Sequence, residues 1–380
     1  MFKREQKFID LGKETCFLWG PRQTGKSTLL KNLFPRADYY DLLLSDEYAR
    51  LSARPSLLRE ELLAKGAAKE AVIVDEVQKI PALLDEIQWL IVNHKIQFIL
   101  CGSSARKLKR AGANLLGGRA LRYELYPLSY KEIPQFDLLR ALNNGLLPRH
   151  YLSEKPQKLL QAYVAEYLKE EIAAEAVVRN VPAFARFLEV SAFSNGAMVN
   201  YQNIAAECGV SPVTAKEYFQ ILVDTLLGRF IMSFQKRPKR RTIQAPRFYF
   251  FDVGVANYLL KRKNIEYGSE AFGFSFEHFI FQELLAYSHY SGKDFEVRYW
   301  RTASQLEVDF ILGDHEAAIE VKGTKMAGQQ HLHGLKAFNE EYKTKHSLLV
   351  SLDPKQRLIG GIRIFPWREF LEALWAGSII

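Results

Sequence analysis

The stretch Gly20-Pro-Arg-Gln-Thr-Gly25-Lys26-Ser27 decides how this chain is read. It matches the spacing G-x-x-x-x-G-K-[ST]. It follows an apolar strand, Thr15-Cys-Phe-Leu-Trp19, and opens a helix. A strand, a glycine loop and a helix in that order are what give the spacing meaning. The glycines let backbone N–H groups wrap an anion, and the helix N-terminus adds positive potential. Lys26 is expected to reach the β- and γ-phosphates of a nucleoside triphosphate, and Ser27 to offer a hydroxyl to Mg²⁺.

Two neighbouring runs support that reading. Ala71-Val-Ile-Val-Asp75-Glu76 is a buried strand ended by two acids. Asp75 suits the Mg²⁺ shell, and Glu76 suits an attacking water. Phe98-Ile-Leu-Cys-Gly-Ser103-Ser104 ends in hydroxyls that either face the nucleotide or cap the next helix. Nucleotide contacts are therefore expected from Gly20, Pro21, Arg22, Gln23, Thr24, Gly25, Lys26, Ser27, Thr28, Asp75, Ser103 and Ser104. Strands are expected at 15–19, 37–42, 71–75, 96–101 and 119–125, with helices between them, as in a parallel α/β domain.

The chain has 380 residues, room for two or three domains. After Pro134 the texture turns helical as far as about Phe230, and aromatic runs return from Phe248. The expected units are 1–134, 135–245 and 246–380. One quarter of the residues are charged and 48% are apolar, which excludes disordered and fibrous classes. No apolar run is long enough for a membrane span. Cys16, Cys101 and Cys208 lie far apart among apolar neighbours, fitting free thiols in a cytoplasmic protein.

The net charge of +9 sits in two acid-free stretches. One holds Arg106, Lys107, Lys109, Arg110, Arg119 and Arg122. The other holds Arg229, Lys236, Arg237, Lys239, Arg240, Arg241 and Arg247. The second lies just after a helix-turn-helix pattern. Residues 201–207 form its first helix, Gly209 its turn, and Ser211-Pro212 the cap of the second helix. Lys216 would face outward near the start of that second helix. A strand, a basic turn and a strand then follow, the order of a winged helix, with the wing cations placed for DNA phosphates. Four or five such contacts give a log–log salt slope of about −4. Docking of a protein, or service as a lid, is the other reading of such a unit.

The tail offers Leu306-Glu-Val-Asp-Phe-Ile-Leu-Gly-Asp-His-Glu-Ala-Ala-Ile-Glu-Val-Lys322. Read as a hairpin turning at 313–314, alternation sends Glu307, Asp309, Glu320 and Lys322 to one face, with Glu307 opposite Glu320. Carboxylates that close need compensation, and a divalent cation, Mg²⁺ or Mn²⁺, would supply it. Upstream, a helix at 276–289 turns Phe276, Phe279, Ile280, Leu284 and Tyr287 inward, with Glu277 at the border.

Together these motifs resemble the AAA+ ATPases, in particular the prokaryotic family that joins an AAA-14-type module to a C-terminal domain of unknown function, DUF 4143. Asp75-Glu76-Val-Gln, Gly102-Ser-Ser, Gly118-Arg119 and Tyr126-Pro-Leu-Ser-Tyr-Lys-Glu132 are part of the likeness. It implies ATP and Mg²⁺ as cofactors, a sensor at Ser103 or Ser104, and a homo-oligomer. It also implies that Arg119 serves the γ-phosphate, in cis or from a neighbour, unless it is only a strand arginine. The tail is similar to the PD-(D/E)xK nuclease superfamily. Asp309, Glu320 and Lys322 match its catalytic set, and Glu277, Asp309 and Glu320 its metal ligands. The expected architecture is α/β: a P-loop AAA+ parallel-sheet domain, a helical winged-helix middle, and a restriction-endonuclease-like tail that binds DNA and either cuts it or only grips it.

Overall fold

The computed structural model describes residues 2–8, 14–66, 70–106, 108, 116–171, 180–236 and 240–380. Five strands build the first sheet: β1 (Cys16–Trp19), β2 (Tyr39–Asp41), β3 (Val72–Asp75), β4 (Phe98–Gly102) and β5 (Leu121–Glu124). They run parallel in the order β2-β3-β4-β1-β5. Helices α1 (Lys26–Leu33), α2 (Ser45–Ala53), α3 (Ser56–Lys65) and α4 (Leu83–His94) connect them. The three central strands, β3, β4 and β1, are buried throughout, as expected for a parallel sheet covered on both faces. The expected parallel α/β domain is present.

The middle of the chain is helical: α5 (Leu138–Asn144), α6 (Pro148–Leu152), α7 (Pro156–Ala162), α8 (Val181–Phe193), α9 (Tyr201–Cys208) and α10 (Pro212–Asp224). Asn200 caps α9, Gly209 turns the chain at φ 68°, and the Ser211 hydroxyl accepts the Thr214 N–H at 3.1 Å. Strands β6 (Gly228–Ile231) and β7 (Arg247–Phe250) follow as an antiparallel pair. The expected break at 245 thus falls just before a strand that pairs backward. Helix α11 (Val253–Leu259) also packs into the middle core, beside Phe248 and Phe250.

The tail opens with α12 (Glu270–Tyr290) and forms a six-stranded mixed sheet, order β12-β13-β11-β10-β9-β8. Its strands are β8 (Val297–Arg301), β9 (Glu307–Leu312), β10 (Ala317–Lys322), β11 (His346–Ser351), β12 (Arg357–Ile359) and β13 (Ile362–Pro366). Helices α12 and α14 (Trp367–Trp375) cover one face, and α13 (His333–Glu341) the other. A Cβ on Gly334 would meet the Glu307 carbonyl oxygen at 1.7 Å, so only glycine lets α13 lie this close to β9.

The expected hairpin register fails here. The hairpin loop runs from Gly313 to Glu316, and the register pairs Phe310 with Ile319, not Glu307 with Glu320. Both faces of the hairpin are buried: Phe310 and Ile319 on the α12 side, Ile311 and Ala318 on the α13 side. The described parts of the expected wing pack on the tail. Residues 232–236 and 240–246 lie along β8, the end strand of the tail sheet, and 237–239 lie outside the described residues. The Phe234 N–H donates to the Tyr299 carbonyl at 2.6 Å, and the Ile243 N–H to the Arg301 carbonyl at 2.9 Å. Phe234 is 1% exposed, among Trp300, Phe338 and Tyr342. An open sheet edge is thereby covered from within the chain.

Candidate functional site

At the carboxyl end of the first sheet, β1 delivers the glycine loop. A Cβ on Gly20 would strike the Leu125 carbonyl at 2.5 Å, and Gly25 takes φ +95°, so both positions need glycine. Lys26 begins α1, is 6% exposed, and donates to the Gly20 and Pro21 carbonyls at 2.7 and 3.0 Å. Thr24 donates to the Pro21 carbonyl at 2.9 Å. Thr28 lies exposed on the first turn of α1. The helical layer leans on the loop: Arg22 stands 5.2 Å from the Tyr167 ring centroid, and the Tyr163 hydroxyl donates to the Arg22 carbonyl at 3.3 Å. Gln23 is exposed at the loop's tip.

Strand β3 brings the acids. Ser27 donates its hydroxyl to Asp75 Oδ2 at 2.6 Å, and the Tyr39 hydroxyl donates to the same oxygen. Burial, with the Asp75 bond, raises the Tyr39 pKa, so the phenol stays a donor. A hydroxyl and a carboxylate at 2.6 Å beside a phosphate loop fit Mg²⁺, which takes few protein oxygens alongside phosphates. Glu76 follows with φ 57°, a left-handed conformation that costs energy in a non-glycine residue and turns its carboxylate away from the strand. Gln78 donates to Glu76 and, at 3.1 Å, to Ser103 Oγ. One amide therefore ties the water-activating candidate to the sensor candidate. Ser103 and Ser104 are buried at the end of β4. Arg119 is exposed just before β5.

The sequence reading missed Tyr39, Gln78 and Arg4. Gln78 stood inside a quoted motif without a role. Nothing local marked Arg4. Its guanidinium donates to the Thr24 carbonyl of the phosphate loop at 2.6 Å, the Tyr126 carbonyl at 2.6 Å, Glu132 at 2.9 Å and the Tyr290 hydroxyl of α12 at 3.2 Å.

In the tail, a bulge in β9 opposite Tyr299 takes Asp309 out of alternation. Asp309 is 2% exposed and accepts the Val321 N–H at 2.9 Å. Lys322 pairs with Glu320 at 2.5 Å and approaches Asp309 at 3.9 Å. Burial, then the Asp309 charge, pushes the Glu320 carboxyl up. Glu277 accepts the Tyr249 hydroxyl at 2.6 Å. Glu277, Asp309, Glu320 and Lys322 are thus brought to one region, as expected. The expected metal set does not fit. Among the described residues, no group of three or more acids, histidines or cysteines converges as cation ligands. The side chain facing Glu277 and Asp309 is Arg247, at 3.8 and 3.7 Å.

The cations expected to meet DNA are placed differently from one another. Lys236 pairs with Asp314, and Arg240 with Glu340 and, at 2.6 Å, Glu341. Arg229 pairs with Glu124 of the first domain. Lys216 and Arg241 are exposed. Arg237 and Lys239 lie outside the described residues, as do Lys107, Lys109 and Arg110 of the other basic stretch. Among the described residues, no helix is long and apolar enough to cross a membrane.

Residues 12–134 match the family model of an AAA domain, AAA_14. Residues 135–266 match a domain of unknown function, DUF8612, which the sequence reading did not name, and residues 272–370 match another, DUF4143. An uncharacterized protein of Mycobacterium tuberculosis is 24% identical over 319 residues, covering 81% of this chain and 70% of that one. One of Haemophilus influenzae is 23% identical over 275 residues, covering 67% and 65%. Among solved structures, a Walker-type ATPase of Pyrococcus abyssi aligns at 14% identity with TM-score 0.42, covering 64% of this chain and 90% of that chain. The Aeropyrum pernix ORC1 protein, solved in complex with DNA, aligns at 14% identity with TM-score 0.24, covering 65% and 86%. The matched segments, with the phosphate loop at the head of a parallel sheet, make the chain similar to prokaryotic AAA+ ATPases that join an AAA_14 domain to a DUF4143 tail.

Proposed function

We propose that the chain is an Mg²⁺-dependent ATPase that acts on DNA as a nucleotide-controlled switch. The observation that carries the ATPase part is the Ser27–Asp75–Tyr39 and Glu76–Gln78–Ser103 constellation facing one phosphate loop. Lys26 leaves the loop carbonyls to hold the β- and γ-phosphates. Ser27 and Asp75 hold Mg²⁺, which neutralises phosphate charge when bound. Glu76 orients the attacking water, and Gln78 reports γ-phosphate occupancy between Ser103 and Glu76. Arg119, exposed before β5, suits a γ-phosphate in a neighbouring subunit of a homo-oligomer.

DNA is the proposed partner because the net charge is +9 and the N-terminal half of α10 presents Val213 and Lys216 to solvent. The misfit of the tail carboxylates to a metal gives no cleavage step. A second reading, a switch acting on protein partners, is favoured by the seating of Phe234 in the tail core and the pairing of Arg240 with α13. The test is ATP turnover and DNA binding measured together on the purified chain across a salt series. Glu76→Gln is expected to bind ATP and lose most turnover. Turnover at the wild-type rate refutes the role of Glu76, and absence of DNA binding at low salt leaves the protein-partner reading.

A further inference from the structure

The tail carboxylates raise a question of charge. Glu277, Glu307, Asp309 and Glu320 crowd one region, and three of them have a common neighbour. Arg247 Nη2 donates to Glu307 Oε2 at 2.9 Å, while Nη1 lies 3.7 Å from Asp309 and 3.8 Å from Glu277. The Arg247 side chain is 4% exposed, and its guanidinium carbon stands 4.7 Å from the Tyr299 ring centroid. Arg301 makes a second pair with Glu307 at 3.0 Å, and Lys322 takes Glu320. Four acids therefore face three protein cations, which leaves one formal negative charge, so a divalent ion added to the cluster would carry it past neutrality.

We propose that this cluster is a guanidinium-binding site, whose ligand is Arg247 of the same chain, and not a metal centre. The geometry favours that ligand over any other cation. A planar guanidinium stacks on an aromatic ring and spreads its N–H groups to several carboxylates at once, which neither lysine nor a compact metal ion does. A divalent ion needs oxygens at about 2.0–2.6 Å, and the arginine already lies beside two of the expected ligands, Glu277 and Asp309, at 3.8 and 3.7 Å. The occupant arrives on a built path. Residues 232–236 and 240–246 run along the edge of β8, Phe234 is seated in the tail core, and Arg240 pairs with Glu340 and Glu341 of α13, so the strand that follows is delivered with Arg247 facing the acids. The Tyr249 hydroxyl, two residues along the same strand, holds Glu277 at 2.6 Å. The site thus locks the middle of the chain to the tail, and Arg240 of the expected wing is paired alongside it.

The inference does not depend on ATP turnover, so its test avoids it. Arg247→Ala leaves a guanidinium-shaped gap, and the probe is ethylguanidinium against MnCl₂, read by thermal unfolding of the full chain without nucleotide. The expected result is a saturable rise in the variant's Tm with ethylguanidinium, none with Mn²⁺, and no response of the wild type to either. A rise with Mn²⁺, or none with ethylguanidinium, overturns the proposal. Should Arg247→Ala not fold, the wild type decides. Mn²⁺ binding or metal-dependent DNA cleavage that disappears in Asp309→Asn overturns the proposal, and the absence of both sustains it.

Discussion

Replacing Arg4 by methionine should loosen both the fold and the nucleotide site, by amounts the geometry sets. The Arg4 side chain is 6% exposed and its partner Glu132 is 0% exposed, so the pair is fully desolvated. Removing one member of such a pair typically costs about 3–5 kcal/mol, because the other charge stays buried. Glu132 keeps two other donors, the Glu5 N–H at 2.7 Å and the Ser129 N–H at 3.0 Å, which argues for the lower end, about 3 kcal/mol. Arg4→Met with Glu132→Gln leaves no orphaned charge, so the double variant should lose less than the two single losses combined, by about 1–3 kcal/mol. Urea unfolding followed by circular dichroism measures all four proteins of the cycle. The same guanidinium holds the Thr24 carbonyl at 2.6 Å, so the single variant should also raise the KM for ATP about tenfold, the equivalent of about 1.4 kcal/mol. Strict additivity in the cycle, or a wild-type KM in Arg4→Met, would show that Arg4 neither pairs with Glu132 nor supports the loop.

Three further outcomes are expected. A Cβ on Gly102 would meet Gln78 Oε1 at 2.1 Å and the Trp19 ring at 2.7 Å, so Gly102→Ala should push Gln78 off Glu76 and Ser103. Its kcat for ATP should fall about tenfold or more with ATP affinity held within a few-fold, equivalent to a loss of about 1.4 kcal/mol confined to the transition state; an unchanged kcat removes Gln78 from the mechanism. His278 bonds the Phe250 carbonyl at 2.7 Å and Asn195 at 3.1 Å, and burial lowers its pKa to about 4. Its stabilisation is therefore complete above the unfolded value of about 6.5 and is lost as pH falls towards 4, by at most about 3 kcal/mol. The Tm of the wild type should fall over that window more steeply than that of His278→Gln, and parallel curves reject the assignment. In DNA binding, Lys216→Ala and Arg241→Ala should each lower the salt slope by about one, whereas Lys236→Ala and Arg240→Ala should leave it alone; the reverse pattern means that the wing opens on DNA.

The elements were legible because their codes are local. A glycine loop between an apolar run and a helix, acids at a strand end, and Ser211-Pro212 before α10 each need only a few residues to be read. The inward face of α12 followed from period alone, and Phe276, Phe279, Ile280 and Leu284 are all 0% exposed. What failed was long-range. Arg247 and Glu307 are sixty residues apart, Lys236 and Asp314 seventy-eight, and no spacing rule joins them. One failure had an available signal. Phe310-Ile-Leu312 and Ala317-Ala-Ile319 are continuous apolar runs, the mark of strands buried on both faces, and they contradict a simple alternation of apolar and charged faces. Reading alternation there set Glu307 opposite Glu320 and called for a metal to hold the two.

One element relates the nucleotide loop to the tail cluster. Helix α12 meets the first domain at Tyr290, whose hydroxyl accepts from Arg4 at 3.2 Å and from the Tyr126 N–H at 2.9 Å. At its other end Glu277 faces Arg247, and midway Glu283 accepts the Tyr130 N–H at 2.7 Å. Thirteen residues of helix separate Tyr290 from Glu277, about 20 Å at 1.5 Å per residue. A helix packed on both sides moves as a body, so a phosphate loop that shifts the Thr24 carbonyl pulls on Arg4, and Arg4 pulls on the same rod that holds Glu277 against the arginine lock. Arg229, paired with Glu124 at the end of β5, ties β6 to the first domain by a separate route. Two connections to one lock are what a switch requires: nucleotide at the loop can change the lock's stability without any metal in the tail. Coupling of this kind is reciprocal. Arg247→Lys, which weakens the lock, should therefore change ATP affinity even though it touches no residue of the nucleotide site. Identical ATP affinity in that variant would mean that α12 joins the two sites in space but not in energy.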